Sequence, residues 1–97
     1  MKMAMLTYNE AIDVDVMEVV NGCGLQNYTK VTRVVYGKGT ASKTHMGNDV
    51  WPGLNYILYV ACDDTQADQI VAGIKNLRKS LAKEGLKAFV MPLEQIA

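Results

Sequence analysis

The chain has 97 residues, enough for one hydrophobic core and too few for two. About half of it is apolar and 21% is charged, a balance that excludes a disordered chain. Ten basic residues match ten acidic ones, so no global field steers the molecule onto nucleic acid or an anionic membrane.

Lys2 to Tyr8 reads as a strand that is apolar on both faces, with Met3 and Met5 on one side and Ala4, Leu6 and Tyr8 on the other. Its apolar part is too short for a signal peptide, and no run approaches the roughly 20 apolar residues that span a bilayer. Asn9 is a good N-cap, and Glu10, Asp13 and Asp15 favour a helix start. Ile12, Val16, Val19, Val20 and Cys23 then share one helical face, and Gly22 and Gly24 end the helix. Tyr28 to Tyr36 is β-branched and aromatic, with Lys30, Thr32 and Arg33 in it, which predicts a strand at the sheet edge.

The segment from Tyr36 to Asn55 is long for a connection inside a small domain. Gly37-Lys38-Gly39-Thr40 can wrap an anion with backbone N–H groups, with Lys38 as counter-charge. A flexible solvated loop is the competing reading. Trp51-Pro52-Gly53 has the form of a turn, and Trp51 either anchors the loop or stacks on a planar ligand. His45 and Met46 are weak candidates for a soft-metal site, since no second His or paired Cys accompanies them. No metal site is therefore expected.

Asn55 to Cys62 is nearly all apolar, as a central strand should be. The next helix opens at Asp63 or Asp64, and Thr65 with Asp68 resembles a capping box. Ala67, Ile70, Val71, Ile74, Leu77 and Leu81 form its apolar stripe, Lys75, Arg78, Lys79 and Lys83 load its later turns, and Gly85 stops it. Leu86 to Met91 is the last strand, closed by Pro92. Cys23 and Cys62 show no metal-ligand spacing, which predicts free thiols in a reducing compartment and a cytoplasmic location.

The order β-α-β-β-α-β predicts one α+β domain over residues 1–97. It is ferredoxin-like: a four-stranded antiparallel sheet with two helices on one face and the first and third strands central. The other face is left bare. Either Tyr56, Leu58 and Val60 or Ile57, Tyr59 and Ala61 must point away from the helices, which predicts self-association through the sheet. A lone His without a nucleophile beside it, and acidic residues explained by capping, leave no catalytic set, so an enzyme is not expected.

Two stretches carry a family resemblance. Gly85-Leu86-Lys87-Ala88-Phe89-Val90-Met91-Pro92-Leu93-Glu94-Gln95-Ile96 resembles the last strand of P-II nitrogen-regulatory proteins. Asn27 to Val34, followed by Gly37-Lys38-Gly39, is similar to that family's second strand and the entry to its T-loop. The related CutA proteins share the fold. The resemblance implies a homotrimer with its sheets facing the threefold centre. It also implies an effector, an adenine nucleotide or another small anion, in clefts between subunits, and a loop that engages a transporter or enzyme. The cleft would gather Thr32, Gly37, Lys38, Gly39, Lys43, Gly85 and Lys87. A metal-responsive CutA-like or efflux-associated protein is the alternative. Neither reading involves nucleic acid or membrane insertion.

Overall fold

Alternating burial along the first strand sets the plan of the molecule. The computed structural model describes residues 1–34, 36–37, 45–46, 54–81 and 85–97. Strand β1 (Lys2–Asn9) sends Ala4, Leu6 and Tyr8 into the core and leaves Met3, Met5 and Thr7 half-buried on the opposite face. A 3-10 turn (Glu10–Ile12) leads into helix α1 (Asp13–Gly22), and Asn9 caps that turn by accepting a hydrogen bond from the Ala11 N–H at 2.9 Å. Gly24 then reverses the chain at φ +78°, a left-handed conformation that favours glycine.

Strand β2 (Thr29–Val34) is followed by a two-stranded ribbon of β3 (Tyr36–Gly37) and β4 (His45–Met46). The ribbon lies inside the span expected to be an irregular connection, and Tyr36, expected at the end of the second strand, belongs to it. Strand β5 (Asn55–Cys62), helix α2 (Asp64–Leu81) and strand β6 (Lys87–Pro92) complete the chain. The four long strands pair antiparallel in the order β2-β5-β1-β6, so β1 and β5 are central as the apolar patterns require. This is the expected ferredoxin-like fold.

The core lies between the sheet and the helices. Leu6, Tyr8, Leu58 and Val60 from the sheet meet Val16 and Val20 of α1 and Ile70 and Ile74 of α2. Val19 and Cys23 of the predicted α1 face pack at its margin, as do Leu77 and Leu81 of α2. The helices approach closely at Gly73, where an added Cβ would lie 2.6 Å from Cγ1 of Val19. The α2 cap differs from the expectation. Asp63 Oδ1 accepts from the Gln66 N–H at 2.7 Å, and Gln66 Oε1 accepts from the Asp63 N–H at 3.0 Å. The box is therefore Asp63 with Gln66, set two residues before Thr65 and Asp68. The long side-chain amide reaches back to the cap N–H, a contact the shorter Asp68 is less suited to make.

Candidate functional site

The register decides which face of the sheet is bare. Leu6 pairs with Leu58 and Ala4 with Val60, and all four are buried beneath the helices. Their neighbours Ile57, Tyr59 and Ala61 therefore point outward beside Met3, Met5 and Thr7. Phe89 and Met91 extend that surface onto β6, and Val31 extends it onto β2. Phe89 is 44% exposed and Val31 40%, so the apolar surface runs from one edge of the sheet to the other.

The predicted ligand residues do not gather within one chain. Thr32 lies exposed on β2, at one edge of the sheet. Lys87 opens β6 at the other edge, also exposed, and Gly85 precedes it in a turn with φ +66°. Lys87, Thr7, Ile57 and Val31 form one row across the strands. Three strand spacings thus separate the two edges, about 14 Å. The Gly37 backbone pairs with His45 in the ribbon. Lys38, Gly39, Lys43 and Trp51 lie outside the described residues, as do the side chains of His45 and Met46.

A polar cluster that sequence reasoning missed sits at the corner where β1 turns into α1. The Tyr8 hydroxyl donates to Asp13 Oδ1 at 2.7 Å, and Lys30 Nζ donates to the same carboxylate at 2.9 and 3.0 Å. Lys30 also lies 5.7 Å from the ring centres of Tyr28 and Tyr56, within range of a cation–π interaction. Tyr56 meets Tyr8 edge to face at 6.0 Å. Burial, with the Asp13 hydrogen bond adding to it, pushes the Tyr8 hydroxyl above the usual phenol range. The signal was available: Lys30 pairs with the buried Leu58, so its side chain stands on the inward face, where a cation needs a partner. Nearby, the Glu10 N–H donates to the Leu54 carbonyl at 2.7 Å. The end of the long connection at Leu54 is thereby tied to this corner.

Cys23 and Cys62 are free thiols, as expected. Burial raises both above the usual thiol value, so neither is primed as a nucleophile. Among the described residues no group of three His, Cys, Asp or Glu could hold a metal ion. None of the described helices is long and apolar enough to cross a membrane.

The described chain is thus a ferredoxin-like sheet with one bare apolar face and with Thr32 and Lys87 at its opposite edges. The family model for nitrogen regulatory protein P-II matches residues 1–97, and the chain belongs to the P-II family. Proteins of that family are signalling regulators, typically homotrimeric. No curated protein sequence matches the chain. Among solved structures, CPII of Thiomonas intermedia K12 bound to ADP and bicarbonate is similar in fold. It is 16% identical at a TM-score of 0.74, over 93% of this chain and 82% of that one. Another structure of CPII, bound to ADP, AMP and bicarbonate, is 14% identical at a TM-score of 0.72, over 93% and 86% of the two chains. A PII-like signalling protein of Thermus thermophilus is 18% identical at a TM-score of 0.65, over 93% and 83%.

Proposed function

We propose that this protein is a cytoplasmic P-II-type signalling protein. It assembles as a homotrimer, binds an adenine nucleotide or a small anion such as bicarbonate between subunits, and reports occupancy to a partner such as a membrane transporter. It performs no chemistry of its own. The observation that carries this reading is the placement of Thr32 and Lys87 at opposite edges of one sheet, with a bare apolar surface between them. A single copy cannot bring those edges together, whereas a neighbouring copy packed on the bare face can set its Lys87 beside another chain's Thr32. Related structures solved with ADP, AMP and bicarbonate make those ligands the ones to test first.

In the cleft, Lys38, Lys43 and Lys87 supply the charge, and Gly37, Gly39 and Gly85 allow close backbone approach. Each partly exposed lysine–phosphate contact is worth roughly 1–2 kcal/mol. Calorimetric titration with ADP, AMP, ATP and bicarbonate tests the reading. Lys38→Ala should weaken a nucleotide by about five- to thirtyfold, the equivalent of that energy, with the melting temperature unchanged. Failure of all four ligands below millimolar concentration, or a ligand indifferent to Lys38, Lys43 and Lys87 together, overturns it.

A further inference from the structure

We propose that Met3, Met5 and Met91 form a thioether site for a soft monovalent cation, Cu(I) or its chemical stand-in Ag(I), on the bare face of the sheet. Odd-numbered residues of β1 face outward, so Met3 and Met5 are neighbours on that surface. The register places Met91 of β6 directly opposite Met3. The Leu93 N–H donates to the Met1 carbonyl at 3.1 Å, which carries the ladder one step further and brings Met1 to the same corner. Four of the chain's six methionines therefore collect at one end of one sheet.

The spacing suits a common ligand. Cβ atoms of directly opposed residues lie about 4.5–5.5 Å apart and diagonal ones about 7–8 Å. Methionine has three rotatable side-chain bonds, so three sulfurs can converge on one point between the strands. Ala61, opposite Met3 on β5, is too small to fill that point. Phe89 and Tyr59 stand opposite Met5 on either side, so two aromatic residues flank the site.

The donor set selects the ion. Thioethers are soft, uncharged ligands that favour Cu(I), while Mg, Ca and Mn want oxygen and Zn wants imidazole or thiolate. Among the described residues of β1, β5 and β6 the charged side chain aligned with this face is Lys87, at the far end of the β6 row from Met91, while the Met1 ammonium lies at the methionine corner itself. The competing soft ligands, the thiols of Cys62 and Cys23, belong to the helix-covered side, where Cys62 is buried in the core. The sheet thus separates thioethers from thiols. This site does not rest on the nucleotide-sensing reading. A second copy packed on the face would enclose the sulfurs without replacing them.

Methionine also serves as an adaptable filler, and substitution by leucine separates the roles, because it conserves volume while removing sulfur. The test is Ag(I) titration of reduced full-length protein, followed by the ε-methyl resonances of its methionines and by calorimetry. The resonances of Met3, Met5 and Met91 should shift together and saturate at a fixed metal-to-chain ratio, while that of Met17 stays put. In a Cys23→Ala/Cys62→Ala background, Met3→Leu or Met91→Leu should weaken binding by about tenfold or more, since disturbing even an outer-shell partner costs about 10–100-fold. The resonance experiment on the unsubstituted chain stands alone if the cysteine-free variant fails to fold. Shifts that leave Met3, Met5 and Met91 unmoved, or binding that vanishes with the cysteines and survives the leucine substitutions, overturn the proposal.

Discussion

Asp13 carries two loads at once, as acceptor for a buried phenol and as counter-ion for Lys30. Asp13→Ala leaves the Tyr8 hydroxyl in the core without its acceptor, and a loss of about 1–3 kcal/mol is expected in urea unfolding. The ion pair adds the smaller share, because its two side chains are 19% and 28% exposed and water screens them. Lys30→Met, which keeps the stem against Tyr28 and Tyr56, should therefore cost less than Asp13→Ala. Tyr8 also sets an alkaline limit. Its folded-state pKa lies above the ordinary 10.0, so the native state holds its proton while the unfolded state releases it. The stability it contributes is full below pH 10 and declines as pH rises beyond that. The advantage of the wild type over Tyr8→Phe in chemical unfolding should shrink steadily above pH 10. A constant difference would show that burial does not suppress Tyr8 ionisation.

At the level of elements, α2 depends on its first turn. Reciprocal hydrogen bonds between Asp63 and Gln66 satisfy two of its orphan N–H groups. Asp63→Ala should cost about 1 kcal/mol, and Thr65→Ala, whose residue is exposed in the helix, only a few tenths. Thermal unfolding of the two variants side by side checks the assignment, and equal losses would contradict it. Strand β2 shows the opposite dependence. Among the described residues it pairs with β5 alone, and its register shifts between Val31 and Val34. Its anchorage comes from Lys30 reaching across to α1, a tertiary contact rather than a local one.

For the whole molecule the question is what covers the bare face. An apolar surface spanning all four strands is unusual on a lone soluble chain. Tyr59→Asp places a charge on that face and should convert an assembly of about three times 10.7 kDa into monomers that stay folded. Leu58→Asp, one residue away, buries an unpaired charge in the core and should abolish folding. Light scattering with circular dichroism reads both. A wild-type chain that is monomeric at micromolar concentration, or a Tyr59→Asp variant that unfolds like Leu58→Asp, contradicts the trimer.

Periodicity in the sequence alone was enough to determine the four long strands, both helices and the central places of β1 and β5, because those features follow from local spacing of apolar residues. The limits of β5 were legible to the residue, since an apolar run bounded by Asn55 and Asp63 leaves little choice. The family, too, was legible in the ending from Gly85 and the stretch from Asn27. Three things were decided only in three dimensions. The alternation in β5 is apolar on both faces, so Ile57 and Tyr59 were distinguished from Leu58 and Val60 only by register against the helix-covered side of β1. The Asp13–Lys30–Tyr8 cluster joins residues up to 22 positions apart, and each had an adequate local explanation of its own, as helix-dipole partner, edge cation and strand aromatic. The candidate ligand residues were expected in clefts between subunits, and within one chain the separation of Thr32 from Lys87 is fixed by the pairing. The strand order was foreseen, but the register that sets Lys87 level with Thr7, Ile57 and Val31 depends on long-range pairing that no local pattern encodes.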